Sequence, residues 1–257
     1  MDVGKAAIAL AVLLLTACGG SDSGSPREVL PDLDQAPPSA ISVVERDGRE
    51  RLVFVSAVEN VGAGPLVVSG RRDAAQLEMK ATQLVRRADG STASAPLRAR
   101  LRFVVSETHR HWHLLGFETY ELRTVGGQAL GRDHKTGFCL GDRYDASTTT
   151  RLPGEPPRAF WTQECGRGQT ERRRILEGIS PGFGDDYVPL LEGQYIDVTG
   201  LAPGRYVLVH LVNPDRDIRE SDYANNAASA LVELVRDSDG EPSVSVLRTC
   251  PDASTCG

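Results

Sequence analysis

The chain has 257 residues, 40% hydrophobic and 25% charged, which allows one globular domain with a sizeable core and excludes a chain that is disordered throughout. Its net charge of -6 and pI near 5.5 make it a poor nucleic-acid binder and mildly favour cationic partners.

Residues 1 to 18 stand apart. Lys5 precedes an apolar run from Ala6 to Leu15 that is too short to span a bilayer and reads as a signal peptide. Leu15-Thr16-Ala17-Cys18 resembles the lipobox of bacterial lipoproteins, which implies cleavage before Cys18, a lipid on that cysteine and anchoring to the extracytoplasmic side of a membrane, at the cell surface or in the periplasm. A plain secretory peptide cut nearby has the same consequence of export. Cys139, Cys165, Cys250 and Cys256 then remain, an even set suited to an oxidising compartment. Cys250 and Cys256 are close enough to staple the end of the chain, which leaves Cys139 for Cys165, although spacing alone does not fix the connectivity.

Residues 19 to 29 have the Gly/Ser composition of a flexible tether, and the domain begins at Leu30-Pro31-Asp32-Leu33. Ile41 to Val44 and Leu52 to Ser56 are strand-like runs on either side of Asp47-Gly48, a hairpin signal. Pro65 to Val68, Gln76 to Leu84, Leu97 to Val105, Arg110 to Arg123 and Gln128 to Leu140 follow, each bounded by turn residues such as Asp89-Gly90 and Gly126-Gly127. Many short strands without a helical period predict an all-β fold, an antiparallel β-sandwich. Residues 141 to 193 are poor in strand signal and read as one long functional loop, in which Arg172-Arg173-Arg174 is a solvated face. Patterning resumes with Gln194 to Val198, Tyr206 to Val212 and Ala228 to Val235. The polar stretch Asn213 to Asn226 between the last two does not have EF-hand spacing, so no calcium is assigned to it. The domain is expected to end near 236, with a disulfide-stapled tail over 237 to 257.

The chemistry concentrates in His109-Arg110-His111-Trp112-His113. On a strand, residues i, i+2 and i+4 share one face, so three of the chain's five histidines present their imidazoles together. Neutral imidazoles suit copper, zinc, nickel or iron, and three of them with an open position make a catalytic rather than a sealed site. A hydrolytic metal centre and a non-catalytic copper-holding surface module fit the same pattern.

Several blocks in order then resemble the lysyl oxidase family of copper amine oxidases over roughly residues 30 to 236. They are Leu30 to Leu33, the H-x-H-x-H at 109 to 113, His134-Lys135-Thr136-Gly137-Phe138-Cys139-Leu140, Ser180-Pro181-Gly182, Gln194 to Thr199, Pro203 to Tyr206, and Glu220 to Asn226. The resemblance implies copper on His109, His111 and His113, and a lysyl tyrosylquinone made from Lys135 and Tyr187. It implies oxidation of primary amines, peptidyl lysine or small amines, by molecular oxygen to aldehydes, with release of ammonia and hydrogen peroxide. The chain departs from the pattern at Thr108, where vertebrate members have a cysteine, and at Phe117-Glu118-Thr119-Tyr120, where they carry a histidine. The base that removes the substrate proton is therefore unassigned, with Glu118, Asp185 and Asp186 as candidates.

Overall fold

The computed structural model describes residues 1, 26–106, 110–135, 137–146, 150–189, 191 and 193–257. The lipobox with Cys18, most of the tether and His109 lie outside them.

The described residues form strands joined by turns, in chain order β1 (Glu28–Val29), β2 (Leu33–Gln35), β3 (Ser39–Arg46), β4 (Arg49–Asn60), β5 (Leu66–Arg71), β6 (Glu78–Arg87), β7 (Thr92–Val105), β8 (Arg110–Leu114) and β9 (Glu118–Thr124). Then come β10 (Ala129–Arg132), β11 (Tyr144–Asp145), β12 (Arg174–Ile179), β13 (Phe183–Tyr187), β14 (Tyr195–Asp197), β15 (Gly204–Val212), β16 (Ala227–Arg236) and β17 (Pro242–Cys250). The fold is all-β, as the patterning predicts. Three antiparallel sheets divide the strands: β12-β5-β6-β7-β8 with β1 on β6; β10-β9-β15-β16-β17; and β11-β13-β4-β14 with β2 and β3 also on β4.

Period-two patterning explains most of this. In β5 the burial alternates strictly from Leu66 to Gly70, and in β6 Met79, Ala81, Gln83 and Val85 face inward. β4 departs from alternation: Leu52, Val53 and Phe54 are buried consecutively, because this 12-residue strand is covered on both faces. The Asp47-Gly48 hairpin forms as expected, with both residues at positive φ (56° and 68°) and Arg46 opposite Arg49. One hydrophobic cluster draws on all three sheets, through Leu66, Met79 and Trp112, through Tyr120 and Leu208, and through Phe54 and Tyr187.

Three expectations need correction. The run from Arg110 to Arg123 is two strands in different sheets, broken where Gly116 takes φ +72°. Among the described residues of the run from Gln128 to Leu140 only Ala129–Arg132 is a strand, and Phe138 makes an isolated bridge to Leu114 in another sheet. The stretch from 141 to 193 is not one loop, since it carries β11, β12 and β13. β12 was masked by the adjoining arginines, and Phe183-Gly184-Asp185-Asp186-Tyr187 has weak β propensity yet sits between β4 and β11. Tyr187 accordingly rides on a paired strand, opposite Ser56, and not on a loop. Within residues 237 to 257, β17 pairs along β16 as the edge of its sheet, and the Cys250–Cys256 disulfide closes the end of the chain beneath Val207 and Val209.

Candidate active site

β8 alternates. Trp112 and Leu114 turn into the core, while His111 and His113 share the opposite face with ring centroids 4.6 Å apart; His113 is buried. Trp112 locks the strand from behind: its ring meets Phe103 edge-on at 5.5 Å, Arg72 lies 4.9 Å over it, and its indole N–H donates to the Gln169 carbonyl at 3.1 Å.

The segment from 133 to 138 is laid against this strand. Leu114 and Phe138 exchange both backbone hydrogen bonds, at 2.8 and 3.0 Å. Such an approach leaves no room at Gly137, where a Cβ would stand 2.7 Å from the Leu114 carbonyl and 2.9 Å from the His113 Cβ. Asp133 accepts from the backbone N–H of Lys135 and of Tyr120, both at 2.8 Å. The His134 ring stacks on Tyr195 at 5.1 Å, and the His134 backbone N–H donates to Gly193 O at 3.0 Å. The backbone that carries Lys135 is thus tied to β8, to β9 and to the turn before β14.

Lys135 and Tyr187, 52 residues apart in sequence, meet here. The lysine Nζ is 4.9 Å from the centroid of the Tyr187 ring and 5.1 Å from that of Phe138, whose ring meets Tyr187 edge-on at 5.0 Å. The Tyr187 hydroxyl donates to Asp185 Oδ2 at 2.7 Å, with the Cys139 carbonyl 3.4 Å away. Gln194, fully buried, donates its amide to the Tyr187 carbonyl at 2.6 Å. Cys139 is joined to Cys165, and the Cys165 carbonyl accepts from Trp112 N–H at 3.0 Å, so one disulfide ties the Lys135 segment to the histidine strand. Both disulfides agree with the pairing left open by the sequence, and they fit an oxidising, extracytoplasmic compartment.

Two buried carboxyls face this centre. Burial pushes Asp185 up to about 7 against the pull of Arg143, whose Nε is 3.4 Å from Oδ1, and Gly141 N–H donates to its Oδ2 at 3.0 Å. Burial likewise pushes Glu118 up to about 7; its Oε2 accepts from Ser56 Oγ at 2.7 Å and from the Tyr120 hydroxyl at 3.1 Å, while Oε1 has no hydrogen-bond partner. Burial, and then Asp185, hold the Tyr187 phenol well above its ordinary range. A cavity of about 620 Å³ opens on Lys135, lined also by Glu118, Glu121, Asp133 and Asp215. Its acidic wall suits a cationic amine. A larger groove of about 840 Å³ is lined by neither Lys135 nor Tyr187.

Of the sequence-predicted residues, His111 and His113 come together, and so do Lys135 and Tyr187, while His109 lies outside the described residues. Asp186, offered as a base, is exposed on β13, whereas Asp185 points inward. Ser56 escaped the sequence reading because nothing ties it to Glu118, 62 residues away. Cys139, Cys165 and Glu177 also bring ligand-type atoms within 4.8 Å of one another, but both sulfurs are spent in the disulfide and offer no thiolate.

The family model for lysyl oxidase matches residues 71–239, well over half of the chain and all of the site just described except Ser56. The chain belongs to the lysyl oxidase family. It is 31% identical over 143 residues to lysyl oxidase homolog 3A of Danio rerio, covering 54% of this chain and 17% of that protein. Against lysyl oxidase homolog 4 of Homo sapiens it is 30% identical over 138 residues, covering 53% and 16%. Against lysyl oxidase homolog 2A of Danio rerio it is 32% identical over 125 residues, covering 47% and 14%. The match thus spans less than a fifth of the length of these relatives.

Proposed function

We propose that this lysyl oxidase family member is an exported, copper-dependent amine oxidase that makes its own quinone from Lys135 and Tyr187. The observation that carries the reading is the 4.9 Å approach of the Lys135 Nζ to the Tyr187 ring.

The residues fit the groups the reading needs. His111 and His113, joined by His109 from the same motif, are nitrogen donors of the kind copper prefers. Bound copper supplies the redox chemistry that lets oxygen turn the Tyr187 phenol into a quinone, and the lysyl tyrosylquinone supplies an electrophilic carbonyl for amine oxidation to an aldehyde, with ammonia and hydrogen peroxide released. The chain's own residues do the rest. Asp185 accepts the hydroxyl proton of Tyr187 in a hydrogen bond and so fixes the position of that oxygen. Asp133 and the Leu114–Phe138 pairing fix the backbone from which Lys135 reaches that ring. The acidic cavity draws in a primary amine, either a small amine or an exposed peptidyl lysine. Glu118 lines that cavity with Oε1 buried and unpaired, and burial pushes it up to about 7, so it is the carboxyl suited to take a proton from substrate carbon. The lipobox adds that the mature protein is anchored through lipidated Cys18.

Protein matured with copper and oxygen is expected to show a visible band that shifts with phenylhydrazine, and a tryptic peptide joining Lys135 to Tyr187. If both residues appear unmodified in copper-saturated protein, the chain is instead a copper-holding surface module.

A further inference from the structure

Two buried polar side chains lie behind Glu118, and the chemistry above leaves them without a role. Ser56 of β4 and Gln35 of β2 are 0% and 1% exposed, on inward faces that also carry Leu33, Phe54 and Val58. A hydroxyl and an amide in such a place cost stability that an apolar pair would not, and Gln35 Oε1 is left there without a hydrogen-bond partner. Both residues precede residue 71, where the family match begins.

Their bonds run in one direction. The Gln35 backbone is fixed on both sides: its N–H donates to the Asn225 carbonyl at 3.0 Å, and it is in register with Val58 of β4. The side-chain nitrogen donates to the Ala57 carbonyl at 3.0 Å. A carbonyl only accepts, so the nitrogen and not the oxygen of the amide faces that side, and its second N–H meets Ser56 Oγ at 3.3 Å. With Gln35 donating to its oxygen, Ser56 sends its single proton forward to Glu118 Oε2, 2.7 Å away. The Tyr120 hydroxyl, whose ring meets Phe54 at 5.0 Å and His210 at 4.5 Å, donates to the same oxygen at 3.1 Å. Two donors thus converge on Oε2, while Oε1 has none.

We infer that Ser56 is a positioning residue: steered by Gln35 and joined by Tyr120, it reserves Glu118 Oε2 as an acceptor, so that a proton taken up by Glu118 settles on Oε1. A proton on Oε2 would face two hydroxyl protons already aimed at that oxygen, whereas Oε1 opposes none. Ser56 is also directly opposite Tyr187 in the register of β4 and β13, so one strand position serves both the carboxyl and the tyrosine. Burial pushes Glu118 up and the Ser56 and Tyr120 hydroxyls pull it down; of the charged groups facing it, Asp185 of β13 adds to the rise and Lys135 opposes it. The use of this arrangement in turnover rests on the amine oxidase reading: the substrate C–H bond breaks, its proton goes to Oε1 and its electron pair stays with the substrate. The placement of the proton does not depend on that reading.

The test is the NMR titration of Glu118 in full-length, metal-free protein with isotope-labelled glutamate carboxyls, its resonance assigned by its loss in Glu118→Gln. Ser56→Ala is expected to raise the midpoint by about one pH unit, because the ionised carboxylate loses a hydroxyl donor, and Tyr120→Phe should raise it too. Ser56→Thr, which keeps the hydroxyl, should stay near the wild-type value. In copper-matured protein the acid limb of the pH–rate profile, expressed per phenylhydrazine-titrated quinone, should move up by the same amount in Ser56→Ala and return in Ser56→Thr. A role in packing alone would change the amount of quinone and leave that limb in place. An unmoved Glu118 midpoint in Ser56→Ala, or an equal shift in Ser56→Thr, overturns the inference. Wild-type protein that forms no quinone, while Ser56→Ala still shifts the midpoint, sinks the amine oxidase reading and leaves the inference standing.

Discussion

At the scale of single residues the site separates binding from chemistry. His111 and His113 sit on a strand that Trp112 fixes from behind, and the Tyr187 hydroxyl bonds to Asp185 and to the Cys139 carbonyl rather than to that strand. Tyr187→Phe is therefore expected to bind copper as the wild type does and to form no quinone band, because the oxidisable hydroxyl is gone. Lys135→Arg should also keep copper yet yield no lysine cross-link, since a guanidinium is a far poorer nucleophile than an amine. Metal analysis and mass spectrometry of tryptic peptides check both. Glu118→Gln tests the proton acceptor: the phenylhydrazine-reactive band should remain while amine turnover falls by roughly 10²- to 10⁴-fold, the usual worth of a positioned base. Turnover within a factor of two of the wild type would move that role to Asp185.

At the scale of elements, the stretch from 133 to 140 decides the site although it is hardly regular structure. Its close contact with β8 depends on Gly137, so Gly137→Ala should push Lys135 away from Tyr187 and abolish the cross-link, and because the new Cβ also crowds His113 it should lower copper occupancy. The Cys139–Cys165 disulfide closes a loop with a sequence separation of 26 and holds both walls of the site. Cys139→Ser/Cys165→Ser is expected to lose about 3 kcal/mol of stability in urea unfolding and to slow cofactor formation even at temperatures where the protein stays folded. The blocks at 30–33 and 220–226, by contrast, are mortar. Glu220 accepts from Leu33 N–H at 2.7 Å and from the amide of Asn226 at 2.8 Å, and Asn225 donates to Asp32 at 2.8 Å, joining two ends of the domain.

At the scale of the whole molecule, burial of carboxyls sets the response to pH. Asp34 is pushed up to about 6, and Glu118, Asp185 and Glu220 to about 7, in each case by burial before any other cause. The unfolded chain releases these protons near pH 4, so between about 4 and 7 the folded state holds more protons than the unfolded one. Stability contributed this way is full below about pH 4 and is lost as pH rises through about 7. The stability of the metal-free protein in urea should therefore fall from pH 5 to pH 8, by at least the roughly 2–3 kcal/mol that a single carboxyl held near 7 contributes. Glu118→Gln should flatten part of that slope. A midpoint that rises over the same range would mean that these carboxyls are ionised in the fold.

How much of this was legible beforehand follows from the range of each interaction. Strand identity, the Asp47-Gly48 hairpin and the shared face of His111 and His113 are local consequences of period-two geometry and turn chemistry, so the sequence by itself determined them. The family was readable too, because its blocks survive as short contiguous strings. The stretch from 141 to 193 was misread since the fate of Phe183–Tyr187 depends on β4, a strand more than a hundred residues earlier that covers it. Propensity cannot register a neighbour that remote. For the same reason only the tertiary structure decided that Asp185 rather than Asp186 faces the tyrosine, that Ser56 holds Glu118, and that Lys135 lies 4.9 Å from the Tyr187 ring: each depends on which strands pair and in what register, and a slip of one residue would turn every one of those side chains to the other face.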